Sequence, residues 1–185
     1  MDEYKCLFNS IDDEFDYTED WECDFQLIED EDYEGLIKYR KECLKRYPND
    51  SDTKWRLGEA FILNQEYEKA LDYFKSIYNE EYDNVNVQYS ILDCLYALKI
   101  DENDFEWIEK PEIVTKEEAV GKCYEYLKNK RKKHSIYQLY IELMIRGYLP
   151  FKEKELYELL KEDKRFDIEE DKPLYELIVR IAKTK

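Results

Sequence analysis

The chain has 185 residues, of which 41% are charged and only four are glycine and four proline. This composition favours helices with solvated faces over a turn-rich β fold, and the 43% hydrophobic content allows one sizeable core or two small ones. So few glycines exclude a phosphate-binding loop, and the only histidine, His134, is not near a candidate nucleophile in sequence. We therefore predict a protein that is not an enzyme and that needs no metal or cofactor.

The net charge of −17 is concentrated at the N-terminus. Residues 1–34 hold 15 acidic side chains and one basic one, whereas residues 111–185 hold 15 acidic and 17 basic. Such a charge distribution favours a partner protein with a basic surface or segment and disfavours nucleic acid. The chain starts with neither a basic nor an apolar leader segment, and no apolar block is as long as a membrane span. These features predict a cytoplasmic protein that does not contact a membrane.

Five cysteines are spread along the chain without a CxxC pair. An odd number at irregular spacing encodes neither a disulfide framework nor a zinc site. We expect buried free thiols at Cys6, Cys23, Cys43, Cys94 and Cys123.

A sequence period of about 34 residues runs through the first half of the chain, after an acidic extension over residues 1–16. The period predicts units near 17–50 and 51–84 and a degenerate third unit from residue 85. Apolar side chains recur in register at three sets of positions: Trp21, Trp55 and Tyr89; Leu27, Phe61 and Leu95; Ile28, Ile62 and Tyr96.

Each half of a unit has helical spacing. The helix that follows "EDED" begins near Tyr33, carries Lys45 and Arg46 in its last turn and stops before Pro48, as the helix dipole and proline stereochemistry favour. The alternation of Trp21, Cys23, Phe25 and Leu27 in "WECDFQLI" leaves open a strand instead of the first helix. The segment "DENDFEWIEKPEIV" allows at most a short helix, which ends the repeats near residue 110.

Residues 51–84 carry a recognisable motif, formed by Leu57, Gly58, Phe61, Ala70 and Phe74. This motif resembles that of the tetratricopeptide repeat (TPR) family, W-x2-L-G-x2-Y followed by A-x3-F and P, and the resemblance extends over about residues 17–100. Trp55 lies one residue closer to the Leu-Gly pair than in the family, and Tyr82 replaces the closing proline. Gly58 and Ala70 are small because, we predict, two helices cross closely there.

The resemblance implies that the first helices of successive units line a groove that binds a segment of another protein. The family's Lys/Asn clamp for a C-terminal carboxylate is absent. An aromatic ladder interleaved with acids suits a basic and apolar segment. The alternative is that the tryptophans pack against the preceding helices. The candidate partner-binding residues are Trp21, Glu22, Phe25, Ile28, Trp55, Arg56, Glu59, Ile62, Tyr89, Asp93 and Tyr96, with Ser90 among them.

Residues 111–185 are expected to form a helical region that caps the repeats. A capping box at Thr115–Glu118 predicts a helix to about Asn129, and further helices are predicted up to Gly147, near 152–162 and near 173–183. The overall expectation is an all-α fold of at least eight helices with essentially no sheet, built as a TPR-like helix-turn-helix solenoid with a C-terminal helical cap.

Two other functions stay open at this point. The protein could be a small acidic neutraliser, of the immunity or antitoxin kind, that occludes a basic partner through residues 1–34. Residues 139–168 also look faintly like a winged-helix element with a basic lead-in at 130–133, which would indicate a DNA-binding regulator.

Overall fold

The computed structural model describes residues 17–130, 134–169 and 173–182, so the acidic extension over residues 1–16 lies outside the described part. The chain divides into two compact units, Met1–Glu109 and Lys110–Lys185. The described residues contain eight α-helices and a small three-stranded sheet. The predominance of helix that the composition predicts is confirmed, whereas the prediction of essentially no sheet is wrong.

The described residues of the first unit form helices joined by turns and loops, without a strand, and consecutive helices pack against one another. The short connections between them leave room only for tight turns between neighbouring helices. A strand in "WECDFQLI" is wrong, because Cys23 and Leu27 are buried four residues apart on one helical face. The helices are α1 (Tyr17–Glu29), α2 (Tyr33–Arg46), α3 (Ser51–Leu63), α4 (Tyr67–Tyr78) and α5 (Val85–Leu98), followed by a 3₁₀ turn at Glu102–Asp104.

The helix ends of this unit recur at the period of the sequence. α2 and α4 begin at residues 33 and 67, and α3 and α5 begin at residues 51 and 85. The side chains of Asp50 and Asn84, also one period apart, cap α3 and α5 by accepting hydrogen bonds from backbone N–H groups of the first turn. The left-handed turns that follow α1, α3 and α5 have the same spacing, with φ of 54° at Glu31, 60° at Gln65 and 58° at Lys99.

Gly58 lies where α3 meets α4. A Cβ atom at this position would stand 2.5 Å from the ring of Phe74, which is fully buried. The prediction that Gly58 marks a close crossing is therefore confirmed. Ala70 is also fully buried, so neither small residue leaves space for a larger side chain.

An aromatic cluster lies where the predicted third repeat, from residue 85, would have its second helix. The ring centroids of Tyr78, Phe105 and Trp107 lie 4.5–5.9 Å from one another. The buried hydroxyl of Tyr78 accepts hydrogen bonds from the backbone N–H groups of Ile108 and Glu109, at 2.8 and 3.0 Å. The loop is thus held against α4 by side-chain packing rather than by another helix.

The second unit combines three helices with an antiparallel sheet. Its elements are α6 (Lys116–Lys130), β1 (His134–Ser135), α7 (Ile136–Met144), α8 (Glu153–Glu162), β2 (Phe166–Glu169) and β3 (Ile178–Ile181). The strand order is β1-β3-β2, and Val179 of β3 pairs with His134 on one side and Ile168 on the other. The elements follow one another in the order α6-β1-α7-α8-β2-β3.

The helix predicted near 173–183 is wrong, and with it the all-helical cap. Pro173 opens a 3₁₀ turn at Leu174–Glu176, and the chain then extends into β3. The β-branched residues of β3 favour a strand once β2 offers a partner, and Val179 is fully buried. The helices predicted at 115–129 and 152–162 are confirmed within two residues by α6 and α8.

α7 ends at Met144, three residues before the predicted stop at Gly147. A Cβ atom at Gly147 would stand 2.6 Å from the carbonyl oxygen of Glu112, so the chain passes close to another backbone here. The neighbouring N–H of Tyr148 donates to that carbonyl at 2.8 Å. The glycine therefore serves this backbone approach rather than a helix C-cap.

Candidate partner-binding surface

Three helices of the first unit present the candidate residues in rows. Ion pairing between Arg56 and Asp24 links α3 to α1, and a hydrogen bond between Trp55 and Ser90 links α3 to α5. Equivalent positions one period apart therefore lie on neighbouring helices. We call the resulting face the α1–α3–α5 surface; its rows are Trp21, Trp55 and Tyr89; Phe25, Glu59 and Asp93; Ile28, Ile62 and Tyr96.

The α1 part of this surface is an exposed apolar stripe. Trp21, Phe25 and Ile28 lie four and three residues apart, and their exposed fractions are 62%, 53% and 41%. The rings of Trp21 and Phe25 stack with centroids 6.4 Å apart. Contiguous exposed apolar side chains on one helix face are typical of interaction sites. Glu22, also predicted, is exposed beside the stripe.

Trp55 occupies a position between the two alternatives predicted for it. Its side chain is half-buried, and its indole N–H donates to the hydroxyl of Ser90 at 3.2 Å. Ser90 is buried and in turn donates to Oε1 of Glu59 at 2.8 Å. The tryptophan edge is thereby fixed between α3 and α5, and part of the side chain stays accessible to solvent.

Glu59 is a half-buried carboxyl group with an acidic neighbour. Burial raises its pKa above the ordinary value, the hydrogen bond from Ser90 lowers it, and the charge of Asp93 raises it further. The same environment raises the pKa of the buried Cys94 thiol to about 12, chiefly through burial. Among the described residues Cys23, Cys43, Cys94 and Cys123 are buried and form no disulfide, as predicted, and Cys6 lies outside the described residues.

Tyr89 and Tyr96 form the α5 part of the surface, with Asp93 between them. Tyr89 is half-buried, whereas Asp93 and Tyr96 are exposed. Burial raises the pKa of the Tyr96 hydroxyl, and the nearby carboxylate of Glu102 adds to this effect. The α5 part is therefore aromatic and acidic, in contrast to the apolar stripe on α1.

Sequence reasoning overlooked a buried ion pair beneath this surface. Arg40 of α2 is fully buried, and its Nε donates to Oδ1 of Asp24 at 2.7 Å, while its Nη2 donates to the other oxygen. Arg56 joins the same carboxylate at 3.4 Å and also binds Asp52 at 2.7 Å. Arg56 is thus engaged by acids of its own unit, although the sequence predicts it as a partner-binding residue. Alignment of segment 17–50 with segment 51–84 could have indicated this pair, since Asp24 and Arg40 correspond to Gly58 and Phe74, which contact each other.

The second unit does not present a basic face on α8. α8 carries four glutamates and only two lysines. One of the glutamates, Glu155, forms an ion pair with Lys116 of α6 at 2.6 Å. The basic lead-in at residues 130–133 lies outside the described side chains. A helix that reads DNA would need the opposite charge.

Within the described parts of the chain, no helix is both long and apolar enough to span a bilayer. In the same parts, no three His, Cys, Asp or Glu side chains are grouped so that they could hold a metal ion. Comparisons with protein-family models, with curated proteins and with solved structures find no match to this chain.

Proposed function

We propose that the first unit is a TPR-like scaffold that binds a basic and apolar segment of a partner protein on the α1–α3–α5 surface. The observation that carries this proposal is that three neighbouring helices present side chains from equivalent positions, 34 residues apart, on one surface. Three features support it: helix starts, N-caps and left-handed turns all recur at the period of the sequence. A row of neighbouring helices with exposed aromatic residues offers anchors for a bound segment.

The charge of the surface supports a basic partner segment. Glu59 and Asp93 lie within electrostatic reach of each other, and Glu22 is exposed at the edge of the stripe. Arg56 does not offset them fully, because it is held between Asp24 and Asp52. Basic side chains of a partner would relieve the repulsion between these carboxylates.

Site-specific photo-cross-linking in cells tests this proposal. A photoreactive phenylalanine analogue at Phe25 or at Asp93 should capture a partner, whereas the same analogue at Asp72, which is exposed on α4, should not. The captured peptide should contain Lys or Arg beside apolar residues, and capture should fall when Phe25→Ser is added to the Asp93 probe. Equal capture from the α4 position would contradict the proposal.

A DNA-binding regulator is the second candidate, because the second unit has the element order of a winged helix. The acidic α8 argues against it. Fluorescence anisotropy with a labelled duplex at about 50 and about 200 mM salt decides the matter, since phosphate contacts give binding that falls steeply with salt. Binding of this kind would favour the regulator over the scaffold.

The acidic neutraliser remains a further proposal, motivated by the charge of residues 1–34. It differs from the scaffold in where the partner contacts the chain. Replacing the acidic residues within 1–16 by Asn and Gln, which leaves Glu22 and Asp24 of α1 intact, would abolish capture by a neutraliser, and the Phe25→Ser variant would leave it unchanged. The scaffold predicts the reverse ranking of the two variants.

A further inference from the structure

The α1–α3–α5 surface changes chemistry from one helix to the next. On α1 the middle row holds Phe25, between Trp21 and Ile28, and all three side chains are exposed and apolar. On α3 and α5 the same row holds Glu59 and Asp93. A segment that crosses the three helices therefore meets an apolar zone first and an acidic zone second.

Within the described residues, Glu59 is stabilised by a neutral hydrogen bond rather than by a cation. The hydrogen bond comes from Ser90, and the one charge that acts on the Glu59 pKa is the like charge of Asp93. Arg56, a basic residue on the same helix, binds Asp24 and Asp52 instead. Glu59 is thus a half-buried carboxyl held in place by the Trp55–Ser90–Glu59 chain of hydrogen bonds, with a like charge beside it. Ion pairing with a cation supplied by a ligand would offset both penalties.

The usual distance between packed helices gives an estimate of the spacing of the two features in the ligand. Packed helices lie about 8–10 Å apart, so Phe25 on α1 and the space between Glu59 and Asp93 are separated by about one and a half helix spacings, or about 12–15 Å. An extended chain advances about 3.3 Å per residue, which converts this separation to about four residues. Residues four apart also point to the same side of an extended chain. Both features can therefore face the surface at once.

We infer that the surface selects an extended segment in which an aromatic or aliphatic residue stands four residues from a Lys or Arg. The apolar side chain packs on the Trp21–Phe25–Ile28 stripe. The Lys or Arg enters between Glu59 and Asp93, beside the indole ring of Trp55, where an Arg or Lys can also gain cation–π attraction. This inference rests on the proposed binding function and adds to it the composition and spacing of the bound segment.

Selection of a random 12-residue peptide library displayed on phage, against the full chain, tests the inference. Enriched peptides should carry an aromatic or aliphatic residue and a Lys or Arg at a separation of three to five residues. Selection against the Glu59→Gln/Asp93→Asn variant should lose the basic residue and keep the apolar one. Selection against the Phe25→Ser variant should lose the apolar residue and keep the basic one. A dominant separation of seven residues or more would overturn the extended segment.

A double-mutant cycle with one enriched synthetic peptide measures the proposed contact. Glu59→Gln keeps an acceptor for Ser90, so the local structure is preserved while the charge is removed. The variant should bind the peptide about tenfold more weakly, because removal of one charge-assisted hydrogen bond from a half-buried site has an effect of this size. A peptide with Gln in place of its basic residue should bind both proteins equally. Glu68→Gln, at an exposed position on α4, serves as the matched control and should change neither affinity.

The outcomes separate the inference from the proposed function. Peptides that need Phe25 but show no preference for Lys or Arg would overturn the inference and leave a scaffold that binds apolar segments. Peptides whose binding is insensitive to every substitution on the α1–α3–α5 surface would overturn the proposed function as well.

Discussion

Exchange of one pair of residues between the segments 17–50 and 51–84 tests whether these two segments are structurally equivalent. A shift by one period superimposes Asp24 on Gly58 and Arg40 on Phe74. In the structure Asp24 contacts Arg40, and Gly58 contacts Phe74, so the same two positions meet in segment 17–50 and in segment 51–84. The double substitution Asp24→Gly/Arg40→Phe places the residues of segment 51–84 at the equivalent positions of segment 17–50. We predict that it is tolerated, although each single substitution is destabilising.

The magnitudes follow from burial. The Arg40 side chain is 1% exposed, so Asp24→Gly leaves a buried guanidinium without this carboxylate and should cost about 3–5 kcal/mol of unfolding free energy. The Asp24 side chain is 16% exposed and keeps Arg56, so Arg40→Phe should cost less, about 1–3 kcal/mol. Replacement of a buried ion pair by a well-packed apolar pair is often neutral or stabilising. The coupling between the two substitutions should therefore exceed about 3 kcal/mol.

Tryptophan fluorescence during urea unfolding reports on this unit, because all three tryptophans (Trp21, Trp55 and Trp107) lie within it. Asp24→Ala/Arg40→Phe is the matched control, since a Cβ atom at the equivalent position, Gly58, would stand 2.5 Å from the ring of Phe74. This control should be less stable than the glycine double variant. If each double variant loses as much unfolding free energy as the two single substitutions together, segments 17–50 and 51–84 do not share one packing geometry and the reasoning fails.

Three further substitutions have definite expected outcomes in the same unfolding assay. Gly58→Leu should destabilise by about 2–4 kcal/mol, because its side chain would overlap the ring of Phe74, and an unchanged midpoint would be inconsistent with the close crossing. Trp55→Ala should cost about 2–3 kcal/mol and Trp21→Ala less than about 1 kcal/mol, as a half-buried and an exposed side chain imply; equal losses would contradict this assignment. Because the pKa of Glu59 is raised in the folded state, its ionised form is destabilising and folding weakens as pH rises through that pKa. Glu59→Gln should therefore increase stability at about pH 7 and lose this advantage below about pH 4, whereas an unchanged pH profile would argue against the raised pKa.

The first unit could be predicted largely from the sequence because its signals are local. Helix ends are marked by capping side chains such as Asp50 and Asn84, and the buried faces follow helical spacing. Gly58 and Ala70 indicate the helix crossing because a larger side chain at either position would force the two helices apart. The apolar positions on α1 were also visible, but the half-buried state of Trp55 depends on Ser90 of α5, 35 residues further along the chain.

The C-terminal strands could not be predicted in this way, because the segment 173–183 satisfies two patterns at once. Leu174, Leu177, Ile178 and Ile181 have helical spacing, whereas Ile178, Val179 and Ile181 are β-branched. The choice is made by tertiary structure: β2 pairs with β3 along four residues, from Phe166 with Ile181 to Glu169 with Ile178. Pairing satisfies the backbone groups of β3 and buries Val179, which a helix would achieve only against another apolar surface.

The segment after α5 shows how a row of helices can be closed by a loop in place of a further helix. α5 needs cover on the side where a sixth helix would pack, and the segment after Leu98 is too acidic and too interrupted to supply one. Phe105 and Trp107 instead pack against Tyr78, and the Tyr78 hydroxyl binds the backbone of Ile108 and Glu109. Aromatic side chains cover a large area with few rotatable bonds, so a short loop suffices where a helix would need about twelve residues. The departure from the repeat pattern in "DENDFEWIEK" thus has a structural role of its own.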